Sequence, residues 1–150
     1  MKKIITILLT FLFVTSCGYT PIYSTKNYDF KLKNIVTTKN KRLDSKVQKQ
    51  LQSFSNNDSE KIISIEVDTQ KHINTLAKDS RGNPSRFEMV VSIELQTTYG
   101  QNQNKSSFFE ERFNYNSNVN KFELNQYEKE IEDLLINKNI NRIIVYLSGV

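Results

Sequence analysis

The 150-residue chain carries 21 Lys and Arg against 16 Asp and Glu, a formal charge of +5, with one cysteine, one histidine and no tryptophan. One cysteine excludes an internal disulfide framework and a sulfur-based metal cluster, and one histidine excludes a multi-histidine metal centre. The four glycines stand apart at 18, 82, 100 and 149, so no glycine-rich phosphate loop can form.

The chain opens with Met1-Lys2-Lys3, then Ile4 to Val14 interrupted only by Thr6 and Thr10, then Thr15-Ser16-Cys17. Charge, a short apolar run and small residues form the layout of an export signal. The run is too short to cross a bilayer, which takes about 20 apolar residues. Val14-Thr15-Ser16-Cys17 resembles the lipobox of bacterial lipoproteins. That resemblance implies cleavage before Cys17, a diacylglycerol on its sulfur and an N-acyl chain such as palmitate, with no other cofactor. At about 0.8 kcal/mol per buried methylene, such chains make a durable membrane anchor. The expected organisation is a signal peptide over 1–16, a lipidated tether over 17–27 and one domain over 28–150. Cleavage leaves 134 residues, enough to bury roughly two-thirds of the unfolded surface without a disulfide. Removing Lys2 and Lys3 from the 21 basic residues leaves 19 against 16 acidic, or +3. Gly18 stands where an aspartate often marks retention in the inner membrane, which by analogy favours the outer one. Export and the weak positive charge argue against nucleic acid, and no aromatic RNA-binding signature occurs.

Beyond Pro21, Tyr28, Phe30 and Leu32 alternate with Asp29, Lys31 and Lys33, which predicts a half-buried strand. Leu43, Val47, Leu51 and Phe54 then share one helical face, with Lys41, Arg42, Lys46 and Lys49 expected on the wet side. Asn56-Asn57-Asp58-Ser59 breaks that helix. Ile63, Ile65 and Val67 predict a second strand, and Phe87, Met89, Val91, Ile93 and Leu95 a third. The turn-rich stretch from Lys78 to Arg86 reads as the hairpin tip between them, and Gly100 to Lys105 as another tip. Phe109, Phe113 and Tyr115 mark a fourth strand, with Glu111 interrupting its inward face. In the last third, Tyr127, Ile131 and Leu134 share one helical face and Ile136, Ile140, Ile143 and Leu147 another, nearly opposite. Either this helix is buried on two sides, or it breaks near Asn137-Lys138-Asn139, a poor helix-forming patch. The predicted class is α+β: a two-layer sandwich in the order β-α-β-β-β-α, with a four-stranded, mostly antiparallel sheet and two helices on one face.

Catalytic signals are weak. His72 sits among Gln70, Lys71 and Asn74, where an exposed strand residue explains it better than a triad base. Glu110-Glu111 are adjacent carboxylates on a strand, whereas Glu128, Glu130, Glu132 and Asp133 lie in the first half of a helix, where negative charge offsets the macrodipole. Lys78, Arg81 and Arg86 place three cations within nine residues on a loop carried by two long strands. Such a loop suits phosphorylated or carboxylated sugars, because arginine forks hold those groups with paired hydrogen bonds.

Cys17-Gly18-Tyr19-Thr20-Pro21-Ile22-Tyr23, the length and the order of elements resemble the LPS-assembly lipoprotein family, LptE, in its alphaproteobacterial form. The asparagine-rich segment from Asn137 departs from the alanine- and arginine-rich helix usual there. The resemblance implies a non-enzymatic outer-membrane lipoprotein on the periplasmic side. It would sit in the lumen of the LptD β-barrel, help it assemble, and bind lipopolysaccharide in transit. Lys78, Arg81 and Arg86 are the candidate lipopolysaccharide contacts, chosen by chemistry and position. Glu94, Gln96 and Thr98 are candidates to face the polar interior of a barrel. The alternatives are an auxiliary periplasmic lipoprotein of a lipid ABC transporter and a small periplasmic hydrolase.

Overall fold

The computed structural model describes residues 28–37, 41–100 and 103–149; the expected signal segment, Cys17 and the expected tether lie outside the described residues. Six elements follow one another: β1 (Lys31–Thr37), α1 (Lys41–Gln52), β2 (Ile62–Lys78), β3 (Pro84–Tyr99), β4 (Gln103–Asn116) and α2 (Lys121–Ser148). The strands lie in sequence order in one sheet. β1 runs parallel to β2, and both later pairs are antiparallel. A parallel neighbour cannot be joined by a tight turn, so α1 serves as the crossover. The α+β sandwich with a mostly antiparallel sheet is therefore as predicted.

The first strand starts later than its alternation suggests. Tyr28 and Phe30 precede it, and Phe30 is fully buried. Tyr28 packs its ring against Phe30 and edge-on against Phe54, at 5.8 and 5.6 Å. Phe54 itself falls after α1, whose regular turns end at Gln52. The chain then turns back, with Ser55 Oγ accepting from Leu32 N at 2.9 Å and Phe30 O accepting from Asn56 N at 2.9 Å.

Antiparallel registry sorts the long strands into two faces. Val67, Leu95 and Ser107 lie abreast on the helix side, as do Met89 with Ile73 and Phe113. Their alternate neighbours point away from both helices. Glu111, which interrupts the apolar pattern of β4, keeps the helix-side register opposite Val91 and accepts a hydrogen bond from Arg142 Nη1 at 3.0 Å. A partner on α2 thus explains the charge without a register slip.

α2 is one helix of 28 residues, which settles the alternatives left open by its pattern. Ile131, Leu135, Asn139, Ile143 and Leu147 form one buried row, and Glu132, Ile136, Ile140 and Ile144 the adjacent one. The buried stripe therefore includes two polar residues, while Tyr127 and Leu134 lie outside it at 43% and 41% exposure. Asn139 lies in the core with its Nδ2 donating to Val91 O at 2.9 Å, while its Oδ1 is buried without a partner.

The basic side of α1 is not simply wet. Arg42 donates both terminal nitrogens to the carboxylate of Glu132 at 2.8 Å each, and Lys71 Nζ reaches Oε2 at 2.8 Å. Lys46 pairs with Asp133. Burial by itself would raise the pKa of Glu132, but the hydrogen bonds and charges of Arg42 and Lys71 outweigh it and hold the carboxyl at about 2. These pairs bind α1, α2 and β2 to one another. Lys41's side chain lies outside the described ones.

The elements differ in length, and this leaves the far end of β2 without a covering helix. At about 3.3 Å per residue β2 spans roughly 55 Å, whereas α1 covers about 18 Å at 1.5 Å per residue. Asp44 near its start accepts from Thr69 N at 2.8 Å, so the helix reaches only midway along β2. Beyond it, Ile73 and Leu76 are 41% and 43% exposed.

Candidate functional site

At this end of the sheet two turns are brought together by the pairing of β3 with both its neighbours. At the β2–β3 tip, Asp79 Oδ1 accepts from Arg81 N at 2.9 Å and Asn83 N at 2.8 Å, while Gly82 N donates to Asp79 O at 3.0 Å. Gly82 has φ +83°, a left-handed conformation that favours glycine. The backbone N–H of Asn83, with those of its neighbours, holds the Asp79 carboxyl below its usual range.

The second turn, Ser117 to Asn120, leads into α2, and Ser117 N donates to Ser85 O at 2.9 Å. Asn120 caps the helix: its Oδ1 accepts from Phe122 N at 3.0 Å, and its Nδ2 donates to Glu123 Oε1 at 3.0 Å. Asn120 is thus a side-chain N-cap braced by Glu123, while its own backbone N–H donates to Asn118 Oδ1 at 2.9 Å.

Two open grooves flank the second turn. One, of about 700 Å³, has Pro84, Phe87 and Leu124 as its apolar lining and Asp79, Asn83 and Lys121 among its polar groups. The other, of about 600 Å³, runs past Tyr115 and Tyr127. Both include Val119 and Leu124. Phe87 stacks on Tyr115 at 5.4 Å, and Tyr127 meets Tyr115 edge-on at 6.2 Å, so an aromatic ladder stiffens the floor. Burial pushes the Tyr115 hydroxyl well above its ordinary pKa, helped by its hydrogen bond to Glu128 Oε1 at 2.7 Å. Val119 is fully exposed and Phe122 is 75% exposed at the same end.

Lys78, Arg81 and Arg86 are all exposed here. Arg81 Nε lies 3.8 Å from Asp79 Oδ2, and Lys78 stands opposite Pro84 in the register. Arg86 shares its register face with Glu88 and Val90, on the side away from the helices. None of the three lines either groove; Lys121 is the cation that does. Sequence reasoning passed over Lys121, although Asn120 with Glu123 three residues on marks the helix start. The turn before that start returns to β3 through Ser117 and Ser85.

Elsewhere, Glu94, Gln96 and Thr98 are exposed on the sheet face away from the helices, a polar surface that no described element covers. His72 is an exposed strand residue opposite Val90. Among the described residues no group of three or more His, Cys, Asp or Glu is placed to hold a metal, and no helix is long and apolar enough to cross a membrane.

No protein-family model matches the sequence, and no curated protein matches it significantly. Solved structures do. The chain is similar in fold to rare lipoprotein B from Shewanella oneidensis, with a TM-score of 0.59 at 16% identity over 79% of this chain and 94% of that one. It also resembles a minor lipoprotein from Acinetobacter baumannii, with a TM-score of 0.57 at 14% identity over 81% and 92% of the two chains. Lipoprotein B from Nitrosomonas europaea gives 0.59 at 14% identity, over 83% and 88%. At these identities the likeness establishes a shared fold: this chain has the α+β sandwich of rare lipoprotein B.

Proposed function

We propose that the chain is an exported lipoprotein, anchored by acyl chains on Cys17 at the periplasmic side of the outer membrane. There it occupies the lumen of the LptD β-barrel, assists its assembly and binds lipopolysaccharide in transit. The observation that carries this reading is the fold shared with rare lipoprotein B over 94% of that chain, joined to the lipobox-like Val14–Cys17.

Two further features support it. The outer sheet face is lined by polar side chains such as Glu94, Gln96 and Thr98, which suits contact with the polar interior of a large barrel. The same end of the sheet carries Lys78, Arg81 and Arg86 exposed, and Lys121 beside the groove that Val119 and Leu124 line. Lys78, Arg81, Arg86 and Lys121 are suited to phosphate groups, and Val119, Phe122 and the two grooves to the apolar part of an anionic amphiphile. The reading involves no covalent chemistry and no resident cofactor.

Depletion of the chain in its own cell tests the assembly role. The amount of folded barrel in the outer membrane, followed by its heat-modifiable migration, should fall while unrelated barrels persist. Normal levels of folded barrel in depleted cells would refute the role.

A further inference from the structure

Two large apolar side chains stand in water at the turn that leads into α2. Val119 is fully exposed, and Phe122, the second residue of the helix, is 75% exposed. Neither belongs to the core or to the apolar residues packed against it. A loose turn does not account for this, because hydrogen bonds brace the backbone on both sides of Val119. Asn118 Oδ1 accepts from Asn120 N at 2.9 Å, Asn118 Nδ2 donates to Glu123 Oε2 at 3.0 Å, and Asn120 Oδ1 accepts from Phe122 N at 3.0 Å. Val119 borders both grooves and so forms the ridge between them. A ridge loses its exposure by entering an apolar medium rather than by enclosing a ligand.

The surroundings of the ridge are cationic. Residues 78–86 and 117–123 hold Lys78, Arg81, Arg86 and Lys121 against Asp79 and Glu123. Ser117 N, donating to Ser85 O at 2.9 Å, ties the two stretches together. Both carboxylates are occupied locally: Asp79 by the N–H groups of Arg81 and Asn83, Glu123 by the amides of Asn118 and Asn120. Exposed apolar side chains among cations match an anionic lipid surface, where apolar groups enter the acyl boundary and cations meet phosphates. An uncharged apolar groove on a protein would leave those cations without a role. The chain can also bring this end to a bilayer. Its described part starts at Tyr28, ahead of β1, whose Lys31 pairs with Ile62 at the opposite end of β2. The 11 residues from Cys17 to Asn27 reach about 35–40 Å at most, enough for an anchored domain to tilt until the turn touches the membrane.

We propose that the turn over 117–122 is a wedge for an anionic lipid surface. Val119 and Phe122 enter the boundary between headgroups and acyl chains, and Lys121 with the cations of the neighbouring tip meets the phosphates. The inference rests on the lipoprotein part of the proposed function, which puts a membrane within reach. It needs no barrel, and it differs from capture of one lipopolysaccharide molecule in a groove.

The chain lacks tryptophan, so Phe122→Trp gives the lipidated full chain a single indole reporter. The test reconstitutes it into phosphatidylglycerol vesicles free of lipopolysaccharide, with a doxyl quencher near the top of the acyl chains. Emission should shift to the blue and be quenched. Val119→Ser in the same background should lower the ratio of inserted to free reporter about tenfold, the effect of withdrawing one valine side chain from the lipid. Phosphatidylcholine in place of phosphatidylglycerol should lower it about fivefold or more, since each cation at the surface then loses its attraction. Val145→Trp, at an exposed position roughly 35 Å farther along α2, should stay unquenched. Vesicle flotation reads the anchor separately. A floated chain whose Phe122→Trp reporter is quenched no more than the Val145→Trp one would overturn the wedge and leave the anchor standing. Quenching that appears only after lipopolysaccharide is added would overturn it too, in favour of single-molecule capture. A chain that neither floats nor quenches would overturn wedge and anchor together.

Discussion

Glu132 offers the sharpest test of what holds the two layers together. Its side chain is 2% exposed and carries three hydrogen bonds, two from Arg42 and one from Lys71. Glu132→Gln keeps the shape and removes the charge. The carboxyl sits at about 2 in the folded chain against an ordinary 4.5. At 1.36 kcal/mol per pKa unit, that difference amounts to about 3 kcal/mol of folding free energy at neutral pH. Arg42 is 64% exposed and can return to water when the carboxylate is lost, so the cost of the substitution should be about 2–3 kcal/mol rather than the upper range for a broken buried pair. The sign follows from the depressed pKa. The contribution is complete above about pH 4.5 and is lost as pH falls through the folded value near 2. Urea unfolding followed by circular dichroism at pH 7 and pH 3 should show a large gap between parent and Glu132→Gln at pH 7, and a smaller one at pH 3. An equal gap at both values would refute the electrostatic argument and leave Glu132 a merely shape-filling residue.

Other substitutions probe the site and the frame around it. Cys17→Ser should abolish both lipid labelling and cleavage of the signal segment, and a processed, labelled variant would sink the anchor assignment. Lys78, Arg81 and Arg86 changed together to alanine should weaken binding of purified lipopolysaccharide, and adding Lys121→Ala should weaken it further. Unchanged affinity in a folded quadruple variant would return these cations to a solvated surface. Asn139→Ala should cost about 1 kcal/mol in a urea titration, because it removes the hydrogen bond to Val91 O together with the unpartnered Oδ1. Gly82→Ala meets no steric neighbour, yet should cost about 1 kcal/mol, since a β-carbon disfavours a φ of +83°.

The long strands were legible in the sequence because their alternation is clean. Met89, Val91, Ile93 and Leu95 read as one buried face, and all four are fully buried. The second helix was harder for a physical reason. Its buried stripe holds Glu132 and Asn139, while Leu134, Val145 and Phe122 are left in solvent, so apolarity and burial do not coincide along it. Only partners distant in sequence make the polar residues tolerable: Arg42 lies 90 residues from Glu132, and Val91 lies 48 from Asn139. The same reasoning applies to Arg42 and Lys46, which looked solvated until α2 supplied their carboxylates. At the β2–β3 tip end of the sheet, exposed cations could be found from composition and turn signals. Which of them borders a groove depended on the return of the chain beside β3, and that singles out Lys121.

The proposed function places this chain, as an exported lipoprotein, inside an outer-membrane barrel. The most direct measurement is affinity isolation of the tagged, lipidated chain from detergent-solubilised outer membranes, followed by mass spectrometry of what accompanies it. The account expects one large β-barrel at a one-to-one ratio, retained through stringent washing. Recovery of inner-membrane transporter components instead, with no barrel, would contradict it and support the transporter-auxiliary alternative.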